Sequence, residues 1–244
     1  GIAMFLLMLS KTKLRPTRED RRFDREILSE TFTIGLPALG TTFVSCFGYI
    51  AFARMVSGMG TTIFAAHSIA ITAEQIVYIP GYGLRVATST LVGNALGEKD
   101  IRKLKATERV SILITLLIMV VNGIGLYLFA YPFMRLFTNS VNAARIGSEM
   151  LRLVSFSEPF FGLMIVLEGI SYGMGRTKHV FACEAVSMWG IRIFGTFLCV
   201  NVFGLGLKAV WLCMIADNIC KAILLYIFRP KHVEENADDR GELR

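Results

Sequence analysis

Charge is scarce in this chain, with Asp, Glu, Lys and Arg making up only 18% of 244 residues. Soluble domains of this length carry about a quarter charged residues, so a solvated globular surface is excluded for most of the chain. Histidine is scarcer still, at three. None of the five cysteines (Cys46, Cys183, Cys199, Cys213, Cys220) forms a CxxC pair, so neither a CxxC-based zinc site nor a thioredoxin-type redox motif is encoded. All five fall in apolar stretches and read as small buried residues. There is no phosphate loop, GxSxG or HExxH. No catalytic chemistry is implied, and no nucleotide-driven step.

Long apolar runs are what the chain has instead. Hydrophobic residues make up 54% of it and mean hydropathy is +0.55. The apolar residues form six blocks: Thr31–Ala53, Thr62–Val92, Val110–Ala130, Gly147–Tyr172, Val180–Val200 and Ala209–Phe228. Each is long enough to cross a bilayer, which takes about 20 residues. Lipid offers no partner to a backbone N–H or C=O, so a crossing segment must satisfy its own. The expectation is an all-α polytopic membrane protein with six transmembrane helices.

Lys and Arg give the orientation, because cytoplasmic loops retain positive charge. Seven lie in Ser10–Glu30, five in Val92–Arg109, two in Met174–Val180 and four in Arg229–Arg244. The alternate loops hold only Arg54, Arg135, Arg145 and Lys208. Loops after even spans and the C-terminus are therefore expected on the cytoplasmic side of the cell (inner) membrane. The net charge of +7 reads as membrane-flanking anchors rather than a nucleic-acid surface. Residues 1–30 read as the end of a preceding helix and a basic cytoplasmic linker, residues 31–229 as the six-helix unit, and residues 230–244 as a polar, disordered cytoplasmic tail.

Ionisable residues inside spans are functional candidates by default, because each costs about 2.5–3.5 kcal/mol at the bilayer centre on insertion scales. Glu74 stands first. It precedes Pro80-Gly81-Tyr82-Gly83, where Pro80 leaves the Ile76 carbonyl without its helical donor; a carboxylate one turn from a freed carbonyl suits Na⁺ or a proton. The structural alternative is a carboxyl hydrogen-bonded to a neighbouring helix and inert. Glu158 beside Pro159 repeats the arrangement, with the Ser155 carbonyl freed. Glu168 lies ten residues on, close to the cytoplasmic surface, where solvation alone would account for it. Glu184 and Arg192 share a face about 12 Å apart, too far to pair without long side chains or a bridging group. Asp217 and Lys221 have the spacing and order of a helical ion pair and are expected to neutralise each other. His67 reads as an outer-end polar residue, and Gly169 with Gly173 as a GxxxG packing contact.

The stretch Ala65–Asp100 (AAHSIAITAEQIVYIPGYGLRVATSTLVGNALGEKD) resembles the eighth span and following loop of the multidrug and toxic compound extrusion (MATE) family. IGLP at Ile34–Pro37, LFT at Leu136–Thr138 (similar to a short outer helix), LEGISYGMGRTK at Leu167–Lys178, WGIRI at Trp189–Ile193 and GLGLKAVW at Gly204–Trp211 match further elements in order. The resemblance covers residues 30–230 and implies the second six-helix lobe of a twelve-helix, two-lobe transporter, with an N-terminal lobe as partner in the same polypeptide. It further implies an antiporter in membrane lipid that exports organic cations, without a cofactor, in exchange for H⁺ or Na⁺. Two features depart from the pattern. The seventh-span match, Thr31–Ala53, lacks the acidic residue some members carry, and Arg85 beside PGYG is not expected. A flippase for lipid-linked oligosaccharides and a non-transporting scaffold stand as alternatives.

Overall fold

The computed structural model describes residues 25–228, so the readings of residues 1–24 and of the tail from 229 lie outside the described residues. Within that range the chain folds as α1 (Arg25–Ser57), α2 (Thr61–Gly97), α3 (Ile101–Phe137), α4 (Val141–Ser155), α5 (Glu158–Gly173), α6 (Thr177–Val202) and α7 (Leu207–Ile227). Five of these helices are long and apolar enough to cross a membrane, and α4 with α5, bent by 61°, make a sixth when the pair is counted as one broken span. No strand occurs among the described residues. The all-α, six-crossing class expected from the apolar blocks is the one observed.

The helices outlast the blocks that announced them. At 37 residues each, α2 and α3 are about 55 Å long, well beyond a hydrocarbon core of about 30 Å. Helix α1 likewise includes Arg25, inside the stretch read as linker, because an intrahelical ladder has no reason to stop where hydrophobicity does. LFT is not a separate helix: α3 runs through Leu136 and Phe137, and Thr138 caps it. Side-chain caps set two starts, Asp100 accepting from Lys103 N at 2.9 Å and Ser140 from Ala143 N at 3.3 Å. Gly175, at φ +70, turns the chain out of α5.

Of the two helix breaks expected at prolines, the one at Pro159 is present and the one at Pro80 is not. Helix α2 passes through Pro80, Gly81 and Gly83 without interruption. Asn122 Nδ2 of α3 donates to the Val77 carbonyl at 3.1 Å, supplying a donor next to the carbonyl that Pro80 strands, and such neighbours are what allow proline within a membrane helix. Around Pro159 the opposite happens: the span ends at Ser155 and restarts at Glu158. Pro159 occupies the first turn of α5, where a missing N–H costs nothing. Ser157 Oγ meanwhile donates back to the Val154 carbonyl at 2.8 Å. The break also sorts the charges of that block. Arg145, Glu149 and Arg152 lie on the exposed face of α4, while Glu158 and Glu168 are buried in α5.

Helix α5 is the centre of the bundle, buried without interruption from Met164 to Ser171. It packs on α2, α3 and α7, and α1 leans chiefly on α6. Contact with α2 is through the GxxxG pair. A Cβ on Gly169 would lie 2.7 Å from the Arg85 carbonyl oxygen, and one on Gly173 2.5 Å from that of Ser89. Two apolar clusters result, one around Phe52, Met134, Leu151 and Trp211, the other around Tyr78, Phe161, Ile165 and Leu225. Gly173→Val should force α2 and α5 apart and cost about 1–3 kcal/mol as overpacking. Thermal unfolding of the detergent-solubilised chain reads this, and an unchanged midpoint would show that the crossing tolerates the added volume.

Candidate functional site

Between the two apolar clusters runs a layer of polar side chains. Glu74 falls between Ala73 of the first cluster and Tyr78 of the second; Glu158 falls between Val154 and Phe161; Asp217 falls between Met214 and Ala222. Hydrocarbon outside offers these groups no partner, so the helices turn them to a shared interior.

Helices α6 and α7 supply most of the charge. Arg192 Nε lies 2.8 Å from Asp217 Oδ2, and Lys221 Nζ 2.5 Å from Glu184 Oε2, with all four side chains buried. Asp217 and Lys221 therefore each find their closest opposite charge on the facing helix, while still acting on each other's charge along α7 as their spacing suggested. Antiparallel packing makes this possible, because α7 presents its acid and base to the base and acid of α6. The 12 Å between Glu184 and Arg192 is bridged by these two α7 residues. Ser187 Oγ donates to the Asp217 carboxylate, Ser45 Oγ of α1 donates to Glu184 at 2.5 Å, and Arg192 Nη2 donates to Asn218 Oδ1 at 3.3 Å. Arg192 stands on a π-helical stretch, Met188–Ile193, with its guanidinium 5.5 Å from the Tyr49 ring centre and 5.9 Å from that of Phe52, inside cation–π range.

Glu168 is buried rather than solvated, and Arg85 Nη1 donates to it at 3.1 Å. The unexpected arginine is thus a partner: its side chain, 33% exposed, reaches from α2 to α5 beside the Gly169 contact.

The remaining two carboxyls make no ion pair among the described residues, although Arg192 lies near enough to Glu74 for their charges to interact. Glu74 accepts a hydrogen bond from Tyr78, one turn along its own helix rather than on a neighbour. Tyr78 is held by stacking on Phe161 of α5, with ring centres 3.7 Å apart. Glu158 is fully buried, and neither carboxyl oxygen has a hydrogen-bond partner among the described residues. It fits there because α3 offers Gly123, whose absent Cβ would sit 3.1 Å from that of Glu158. The two carboxyls are near enough for their charges to interact.

Several of these partners were missed in the sequence. Tyr78 was readable as the i+4 neighbour of Glu74, and Asn122 as a polar residue in a charge-free block; Ser45 and Ser187 carry no such signal. His67, in the second turn of α2, is buried and accepts from Trp211 Nε1 at 3.2 Å. The cysteines divide: Cys183 is buried, Cys46 exposed, and the other three intermediate. An apolar groove of about 410 Å³ between α2 and α3, lined by Ile76, Pro80, Asn122, Phe129 and Phe133, contains no charged side chain.

A family model described as MatE matches residues 37–198. The chain belongs to the MATE family. Among its relatives, the "Probable multidrug resistance protein NorM" of Thermotoga maritima is 30% identical over 201 residues, which is 82% of this chain and 43% of that protein. The "Probable multidrug resistance protein YoeA" of Bacillus subtilis is 22% identical over 92% of the chain and 50% of its own length. The chain spans about half the length of the curated relatives it matches. The MATE transporter VcmN of Vibrio cholerae in its bent form superposes with a TM-score of 0.82 at 16% identity, covering 93% of this chain and 51% of that one. A MOP superfamily transporter from Pyrococcus furiosus gives 0.83 at 21%, covering 92% and 52%. The MATE-like fold of the described helices is thus shared over about half of each of these longer transporters.

Asp217→Ala would leave Arg192 buried without its ion-pair partner and should destabilise the lobe by about 3–5 kcal/mol. The double variant Asp217→Leu/Arg192→Met should lose much less than the two single changes together. A thermal-unfolding double-mutant cycle measures this, and additive losses would show that the pair is not coupled.

Proposed function

We propose that this MATE lobe is the C-terminal half of a secondary antiporter that exports organic cations or drugs in exchange for H⁺ or Na⁺. The observation that carries the reading is Glu158, a fully buried carboxyl with no hydrogen-bond partner among the described residues, set beside Glu74. Every other acid in the layer has its own base, Asp217 with Arg192, Glu184 with Lys221 and Glu168 with Arg85. Glu74 and Glu158 are therefore the pair available to exchange a coupling ion for a cationic substrate. Glu184 and Glu168 hold helices α6 and α5 in place through their bases.

Alternating access follows if occupancy of the carboxyl pair biases which side of the transporter is open. A membrane-buried site gives the substrate a low-dielectric environment in which one charge matters more than in water. The N-terminal lobe of the same polypeptide would form the opposite wall, and lipid the surroundings of both. Loops after even spans and the C-terminus are assigned to the cytoplasmic side of the cell (inner) membrane, by the excess of Lys and Arg there.

A flippase for anionic lipid-linked sugars calls for a cationic interior. Here Arg85, Arg192 and Lys221 are each matched by an acid, and the surplus groups are carboxyls, which disfavours that reading. A pure scaffold gives no reason to bury Glu158 without a partner, since each unsatisfied polar group costs about 1–3 kcal/mol.

In the two-lobe transporter, Glu74→Gln and Glu158→Gln should each reduce ion-gradient-driven efflux at least about tenfold, equivalent to about 1.4 kcal/mol, at unchanged membrane abundance. Everted vesicles with an imposed H⁺ or Na⁺ gradient provide the assay. Full efflux by both variants would overturn the assignment.

A further inference from the structure

At the loop end of the α6–α7 hairpin two thiols face each other. Cys199 Sγ lies 3.7 Å from Cys213 Sγ, and both residues are half-buried. Two local features bring them together. Helix α6 ends in a second π-helical stretch, Leu198–Val202, in which Phe203 N donates to the Leu198 carbonyl at 3.0 Å and Leu205 N to that of Cys199 at 2.7 Å. Such a wide turn inserts a residue and re-aims the side chains it carries. One turn earlier is Gly195, where a Cβ would lie 3.3 Å from Cys213 Sγ, so the glycine leaves room for that sulfur. A disulfide needs its sulfurs at about 2.05 Å, so oxidation would draw the two thiols, already in contact, closer together.

The pair also lies near an aqueous rim. Lys208 Nζ and Glu149 Oε2, 3.1 Å apart and both exposed, mark the aqueous rim of the bundle. Cys213 is five residues further into α7, about 7.5 Å below it. On the orientation argued under Proposed function, this rim faces away from the cytoplasm, toward compartments where disulfides persist.

We propose that Cys199 and Cys213 are a redox-active dithiol that closes to an intrachain disulfide on the outer side, clipping the end of α6 to α7. The co-reactant is an external disulfide, RSSR. One cysteine thiolate attacks it and releases RS⁻, forming a mixed disulfide. The second cysteine, as its thiolate, displaces the remaining RS⁻ and forms the Cys199–Cys213 bond. Two protein thiols are oxidised, one RSSR is reduced to two RSH, and the protons pass to the departing thiolates. Cys213 stands one turn from Asp217, so the clip fixes the register of the two helices whose Arg192–Asp217 and Lys221–Glu184 pairs depend on it.

The experiment treats uniformly oriented, sealed membrane vesicles bearing the full chain with oxidised glutathione. Remaining thiols are then blocked with maleimide, and the digest is read by mass spectrometry with and without dithiothreitol. Oxidant on the outer face should produce a Cys199–Cys213 linked peptide that dithiothreitol splits, and Cys199→Ser should abolish it. Failure to form that linkage from either face, or pairing of these cysteines with other thiols instead, overturns the proposal. Formation only with oxidant at the cytoplasmic face would keep the pair, refute its outward placement and overturn the topology.

Discussion

Lipid cannot solvate a charge, and most of this architecture follows from that constraint. A buried Arg, Lys, Asp or Glu in a membrane bundle must find its partner within the protein. Four of the crossings, α2, α4–α5, α6 and α7, bring ionisable groups into the interior, where the two apolar clusters pack around them. The pairing is between helices rather than within them: α6 to α7 twice, and α2 to α5 once. Each ion pair therefore also fixes the relative position of two helices. A helix that slid by one turn would lose its partner, at the several kcal/mol that breaking a buried pair costs.

Packing at α5 meets a steric constraint of similar rigour. The Arg85–Glu168 pair and the Gly169 and Gly173 contacts lie on the same α2–α5 crossing, so close backbone approach and charge neutralisation support each other. Gly123 of α3 does the same for Glu158, admitting a carboxyl where any larger residue would meet it. Small residues thus decide where the large polar ones can sit. The result is an interior in which three acids are ion-paired, and two carboxyls, on α2 and α5, stand outside those pairs.

Those two carboxyls differ in how firmly they are held. Glu74 has a hydrogen bond from Tyr78, which is itself stacked on Phe161 of the helix that carries Glu158. A change at one carboxyl therefore has a short path to the other, through one phenol and one ring. Helix α6 adds a second mechanical element. Its two π-helical stretches, Met188–Ile193 and Leu198–Val202, carry Arg192 toward α1 and α7 and Cys199 toward α7. Where such stretches occur, the helix departs from regular spacing and side chains point where a regular helix would not aim them.

Hydropathy and the placement of Lys and Arg were enough to define the six crossings, because backbone hydrogen bonding in lipid leaves a helix as the only choice for a lone apolar segment. The ordered motifs carried the family, and Glu74 and Glu158 stood out because a charge inside an apolar block has no inexpensive explanation. The partners were decided only in three dimensions. Asp217 and Lys221 are spaced to pair along one helix, yet the facing acid and base of α6 compete successfully for them, and sequence spacing contains no information about a facing helix. Proline gave the same lesson twice, since Pro80 is accommodated by Asn122 from another helix while Pro159 begins a new one. A local pattern specifies what a segment needs, and tertiary packing determines which neighbour supplies it.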